Sequence, residues 1–351
     1  MTLHTDTAIV GAGPCGLFQV FELGLLGISA HIVDSLDKPG GQCTELYPDK
    51  PIYDIPALPV CGAQELIDRL LQQIAPFSPR FHLGQQVTEV TPRPNGHFTV
   101  RTSRGTELLA RSVIVAGGVG AFQPVELNVA GVAAHVDRDV FYRVRDPQAH
   151  QGKNVVVLGG GDSALDWALN LVGIADSVTL IHRSDKFRAQ TASVRKMQEL
   201  CNDYQMQFLV GQITGIEERA DGSLAQVRVT GGDGVTRRLD LDQLLVFFGL
   251  HPKLGPIADW GLALHKHQIK VDMSTFETTT PGIYAIGDIC AYPGKKKLIL
   301  SGFHEAALAA FAIKARLNPG EKVHLQYTTT SPIMHKRLGV DDPYAKDKQA
   351  A

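Results

Sequence analysis

The stretch Thr7-Ala-Ile-Val10, Gly11-Ala-Gly13-Pro14-Cys15-Gly16, then an apolar helical pattern through Leu26 and the run Ala30-His-Ile-Val-Asp34, reads as strand, glycine turn, helix, strand. Parallel strands need such a crossover, so this is a βαβ unit. Each glycine in it has a task. Gly11 permits the tight turn, Gly13 lets the backbone approach a pyrophosphate, and Gly16 lets helix and strand pack closely. Pro14 and Cys15 complete the turn and open the helix, whose first amides carry a partial positive charge suited to phosphates. Asp34, ending the second strand, is placed to accept hydrogen bonds from the hydroxyls of an adenosine ribose.

The pattern recurs. Asn154-Val-Val-Val-Leu158, Gly159-Gly-Gly161-Asp162-Ser163-Ala164, a helix through Val172 and Val178-Thr-Leu-Ile-His182-Arg183 repeat the same order, with Ala164 in the permitted place of the third glycine. Aligning Gly11 with Gly159 puts His182 where Asp34 stands. An acid there would repel a 2′-phosphate, whereas Arg183, with Arg188 a short turn later, offers paired donors that fit one. The second unit is therefore expected to bind NADP(H) rather than NAD(H).

Between and after the two units lie short strand patterns, at Phe98–Thr102, Ser112–Ala116, Gln226–Val229 and Leu244–Phe248, separated by Arg104-Gly105, Gly117-Gly118 and Gly231–Gly234. Thr280–Asp288 reads as a buried strand ending in Gly-Asp, and Gly302–Leu317 as an amphipathic helix stopped by Asn318-Pro319-Gly320. The polar tail, Glu321–Ala351, has no convincing period, reads as an extension or lid, and is expected to be mobile over its last ten residues. A chain of 351 residues suits about two domains.

Composition narrows the class. With 44% hydrophobic and 20% charged residues the chain is that of a globular protein, and it holds no apolar run long enough to cross a bilayer. Its 35 glycines exceed the usual share and point to tight turns and close backbone approach. A net charge of -2 argues against a general nucleic-acid binder. Five scattered cysteines and an N-terminus without a targeting pattern make the cytoplasm the expected compartment. The 13 histidines include His265-Lys-His267, but no Cys/His cluster of ligand spacing, so no metal site is expected.

Taken together, Gly11–Gly16 with Asp34, Gly40-Gly-Gln42, Thr280–Asp288 and the unit bearing His182-Arg183 resemble the two-domain thioredoxin-reductase-like flavoproteins over about residues 5–330. The resemblance implies an α/β fold of two Rossmann-like, three-layer ββα nucleotide-binding domains. The NADPH domain (119–248) would be inserted into a discontinuous FAD domain (1–118 and 249–320), with a C-terminal extension (321–351) covering the flavin. It further implies that the first unit binds FAD, that Asp288 holds the ribityl chain, and that Gln42 and Tyr47 lie beside the flavin. Val87 would contact the adenine, and Phe122 would join the FAD site.

What the chain lacks is a thiol relay. No Cys-x-x-Cys precedes the second glycine turn, and position 48, where a partner for Cys43 would stand, is Pro48. The cysteines read as small apolar fillers. Electrons must then leave the flavin directly, and the sequence resembles the thioredoxin-reductase-like (type 2) ferredoxin–NADP+ reductases. It does so at Gln42 through Tyr47-Pro48-Asp49-Lys50 with Ile52-Tyr53-Asp54-Ile55, at Lys295–Ile299, and in the tail. That resemblance implies FAD and NADP(H) as cofactors, a homodimer, Tyr327 as a ring stacked on the flavin and Thr329 as a flavin contact. Pro51 stands where relatives carry an aromatic residue, leaving the opposite flavin face unassigned. Lys295–Lys297 with Lys336-Arg337 are a candidate landing site for an acidic ferredoxin or flavodoxin. A thiol-independent NADPH oxidase or quinone reductase, and a non-catalytic FAD/NADPH redox sensor, remain open alternatives.

Overall fold

The computed structural model describes residues 2–48, 50–144 and 146–341, with 121–123 and 250–253 described as backbone alone. The chain forms two compact units, Met1–Ala121 with Pro252–Ala351, and Phe122–His251.

The first unit starts with β1 (Leu3–Val10), α1 (Pro14–Leu25) and β2 (Ala30–Val33). A short helix α2 (Gln42–Glu45) and a longer α3 (Ala63–Ile74) lead to β3 (Arg80–His82), β4 (Val87–Pro92), β5 (Phe98–Thr102) and β6 (Glu107–Val115). The strand order is β3-β2-β1-β6-β5-β4. β3, β2, β1 and β6 are parallel, and β6-β5-β4 turn back as an antiparallel meander. Ile9 faces Ile32 on one side and Ile114 on the other, and all three are fully buried. Burying each such side chain contributes about 2 kcal/mol, so the row fixes the register.

The second unit is continuous. It comprises β7 (Val140–Phe141), β8 (Asn154–Leu158), α4 (Asp162–Leu171), β9 (Ser177–His182), α5 (Thr191–Asn202) and β10 (Gln207–Val210). These are followed by β11 (Gln212–Glu218), β12 (Leu224–Thr230), β13 (Thr236–Asp240) and β14 (Gln243–Val246). A parallel sheet of order β7-β14-β8-β9-β10 stands beside an antiparallel sheet β11-β12-β13. In β8 the side chains alternate. Val155 and Val157 pack with Ala164, Leu165 and Ala168 of α4, while Val156 and Leu158 pack with Ile213, Val227 and Val229 of the antiparallel sheet. Both faces are covered, which is why this strand is an unbroken apolar run.

The chain then returns to the first unit with β15 (Ile283–Ala285), α6 (Ile299–Leu317) and α7 (Pro332–Leu338). β15 pairs in parallel with Val113–Val115, the half of the outer edge of β6 that β5 leaves open. Of the expected strand Thr280–Asp288 only these three residues pair with β6, and a 3₁₀ turn Gly287–Ile289 follows. α6 starts three residues before the expected Gly302, after extended Leu298. The tail, read as lacking periodic structure, contains α7. Ser331 caps it by accepting from the Met334 amide, Pro332 is its first residue and Gly339 ends it at φ 68°. Seven residues are too few for a visible period. The last ten residues lie outside the described set.

Candidate functional site

The parallel strands of the first unit end on one rim, the usual place for ligands in such sheets. Val10 leads into Gly11, Val33 into Asp34, Val115 into Ala116-Gly117, and Ala285 into Ile286-Gly287. Gly11 has φ 112°, and a Cβ there would lie 2.4 Å from the Ala116 carbonyl oxygen. A Cβ on Gly16 would lie 2.0 Å from the Gly11 oxygen, whereas one on Gly13 meets nothing within 4 Å. Two glycines are thus required by the protein itself, and the third keeps open space before an α1 terminus that has no side-chain cap. Asp34 is buried, and its carboxylate accepts the Ala12 amide at 2.6 Å and the Leu36 amide at 2.8 Å. Burial raises its pKa above the ordinary value against the lowering effect of these two amides. A carboxylate has about four acceptor sites, so capacity for ribose hydroxyls remains.

Around this turn the structure gathers other sequence-predicted positions. Gly40 donates its amide to Ala12, and a Cβ on Gly41 would lie 3.1 Å from the Cα of Gly13. Gln42, opening α2, reaches Asp288 with its amide nitrogen at 3.4 Å. Asp288 is held from behind as Gln268 donates to its carbonyl at 2.9 Å. Tyr47 is half-buried, with its hydroxyl 3.8 Å from the Cys43 sulfur, and burial raises its pKa. Val87 is buried in β4, two residues beyond Gln85, whose amide donates to the Asp34 carbonyl. Phe122 lies outside the described side chains.

The cysteines are all free thiols. Cys15 packs its sulfur against Gly287 and Gly302, where a Cβ would lie 3.2 and 2.1 Å away. Burial, then the nearby Asp288 and Glu305 charges, pushes its pKa up to about 12, and burial also raises that of Cys43. The Cys15 side chain thus packs helix α1 onto Gly302 of α6.

In the second unit Gly159 donates its amide to Ile181, as Gly11 does to Val33. The next residues, His182 and Asp34, are thus structural equivalents. Gly161 leaves open space and precedes another uncapped helix, α4. Asp162 accepts the Gln190 amide at 2.9 Å, Ser163 is exposed and Ala164 is buried. The Arg188 amide donates to the Gly160 carbonyl at 2.8 Å, folding the 183–188 loop back onto the glycine turn. Arg183 and Arg188 are exposed there. The His182 ring fills the space a Cβ on Gly160 would need. Burial, then the two arginine charges, lowers its pKa, so cationic charge at this corner comes from the arginines.

Two expectations need correction. Lys295 is not a surface charge: its side chain is 7% exposed and paired with fully buried Glu305, leaving Lys296 and Lys297 exposed. Arg337 donates to the Leu25 carbonyl at the end of α1, a cation satisfying a helix C-terminus. Of that pair Lys336 is exposed and Arg337 is partly buried. Tyr327 is 65% exposed and Thr329 is exposed, in the turn before α7. His265 and His267 are exposed, and no group of metal-ligating side chains occurs among the described residues. No helix among them is long and apolar enough to cross a membrane.

This is the architecture of a flavin- and pyridine-nucleotide-linked oxidoreductase. Residues 5–312 match the pyridine nucleotide-disulphide oxidoreductase family, and the chain belongs to it. It is 63% identical over 341 residues to a ferredoxin–NADP reductase 2 of Cupriavidus metallidurans, covering 97% of this chain and 93% of that relative. It is 61% identical over 345 residues to a ferredoxin–NADP reductase of Methylibium petroleiphilum, covering 97% and 94%. Among solved structures it is similar in fold to the thioredoxin reductase of T. acidophilum, with TM-score 0.68, 23% identity and coverage of 89% and 98%. The bacillithiol disulfide reductase of Staphylococcus aureus gives TM-score 0.70, 18% identity and coverage of 90% and 100%. The thioredoxin-reductase-like fold of two Rossmann-like domains is thus the fold of this chain.

Proposed function

We propose that the chain is a ferredoxin–NADP+ reductase that exchanges a hydride between NADP(H) and FAD and passes electrons singly between FAD and a ferredoxin or flavodoxin. The observation that carries the reading is the contrast between two equivalent corners. One strand ends in Asp34, suited to ribose hydroxyls, and the other in His182 with Arg183 and Arg188, suited to a phosphate. FAD, when bound, supplies both hydride acceptance and one-electron release.

The protein's part is binding and orientation. Gly13 and Gly161 admit the pyrophosphates to the helix ends, Asp34 takes the FAD ribose, and Asp288 with Gln42 takes the ribityl side. Gly11, Pro14, Cys15, Gly16, Tyr47, Val87 and Phe122 complete the FAD side, with Tyr327 as a stacking ring and Thr329 as a contact. Gly159, Asp162, Ser163 and Ala164 complete the NADPH side. Residues 1–118 with 249–320 would hold FAD and 119–248 would hold NADPH, with the extension 321–351 covering the flavin. The five thiols are free, in keeping with direct transfer from the flavin to the carrier. The names of the relatives support ferredoxin as that carrier. A homodimer and a cytoplasmic location belong to the same reading.

Anaerobic stopped-flow tests it. NADPH should bleach the flavin rapidly and NADH far more slowly, and ferredoxin should then reoxidise it quickly. Reoxidation by oxygen or quinone alone, or negligible turnover with any acceptor, would overturn the proposal.

A further inference from the structure

Behind the Gly287–Asp288 turn lies a buried polar network that the reaction as described does not use. Glu305, on α6, is fully buried. One of its oxygens accepts the Gly287 amide at 2.6 Å and the Cys290 thiol at 3.4 Å. The other accepts the Tyr292 hydroxyl at 2.7 Å and the Lys295 ammonium. Two of these four groups, the amide and the ammonium, can only donate, so the site demands an acceptor on both sides, which a carboxylate supplies and a carboxamide does not. An ion pair this deep is a weak source of stability, because desolvation offsets most of the attraction. Its geometric effect is specific: it ties α6 to the amide immediately before Asp288, in a turn where Gly287 holds φ 76°.

We propose that Glu305 is a positioning residue for FAD: through the Gly287 amide it sets where Asp288 meets the flavin side of the site, and Lys295 is the counter-ion that makes a carboxylate necessary there. The inference rests on the reading of Asp288 as an FAD contact. A Gln at 305 would have one oxygen to share. Lys295 would draw that oxygen to its own side, turning the NH₂ group against the Gly287 amide, donor facing donor. Removing Lys295 as well lets the oxygen turn back to Gly287 while the NH₂ donates to the Tyr292 oxygen.

Fluorescence titration of the full-length apoprotein with FAD, with the flavin absorbance spectrum and a melting curve for each variant, tests this. Glu305→Gln should weaken FAD binding about tenfold or more, the scale of one buried bond lost and left unsatisfied. Lys295→Met/Glu305→Gln should recover to within about threefold of wild type. Lys295→Met/Glu305→Met, equally uncharged but with no acceptor for the amide, should stay at least about tenfold weaker than the Met/Gln pair, with a shifted flavin spectrum. If Glu305→Met chains do not fold, the recovery from Glu305→Gln to the Met/Gln double variant decides. Equal FAD affinity in the two double variants, or no recovery, overturns the inference while wild type still binds FAD. A wild-type chain that takes up no FAD overturns the proposed function with it.

Discussion

At the residue scale, the glycine turns separate folding from binding. An Ala at Gly16 must displace the Gly11 carbonyl, 2.0 Å from its Cβ, so G16A is expected to lose about 3 kcal/mol or more in a urea melt. G161A places its Cβ in open space on an extended backbone that Ala adopts readily. It should melt like wild type and yet raise the KM for NADPH about tenfold or more. Arg183→Ala and Arg188→Ala should each lower kcat/KM for NADPH about tenfold and leave NADH nearly unaffected, which steady-state kinetics reads directly. His31 and His82 make a pH prediction. Their ring nitrogens lie 3.1 Å apart, and burial, then the charges of His82 and Arg80, lowers the His31 pKa from 6.5 to about 4. Burial, then Arg80, lowers that of His82 too. Unfolded chains therefore bind protons that the fold refuses, so the contribution of this pair to stability is complete above about pH 6.5 and is lost as pH falls towards 4. Melts across that range should show the slope, and His31→Gln should flatten it. The glycines and Asp34 were legible because their chemistry is local; the His31–His82 contact was not, since it depends on β2 and β3 becoming neighbours.

The element scale shows where short-range reading stops. Three consecutive lysines read as a surface landing site for an acidic carrier, but the partner that buries Lys295 sits ten residues on, on the inward face of α6. The surface part of the run is Lys296 and Lys297. Lys296→Glu/Lys297→Glu should raise the KM for ferredoxin several-fold and flatten its dependence on ionic strength, because complementary surface charge acts mainly on encounter. An unchanged salt dependence would place the carrier elsewhere. Helix α7 was hidden for a different reason: its cues are a cap, a proline and a terminal glycine rather than a period. Its Arg337 completes α1, so Arg337→Ala should cost about 1 kcal/mol in a chemical melt.

On the scale of the whole molecule, the repeated βαβ pattern revealed two nucleotide folds, and the family resemblance carried in part by the Gly-Asp segment near residue 288 implied that one of them is interrupted. The compact units divide at 121/122 and 251/252. What no local pattern could disclose is that β6 splits one edge between two strands, β5 next to it in sequence and β15 from beyond the second unit. That arrangement has a consequence for biosynthesis. As the chain leaves the ribosome, residues 122–251 hold everything their own sheet requires, whereas the N-terminal segment waits with a strand edge exposed until the far end of the message is read. Expressed alone, 122–251 should fold cooperatively and retain affinity for NADPH, while 1–121 should aggregate and be rescued by co-expression with 252–351.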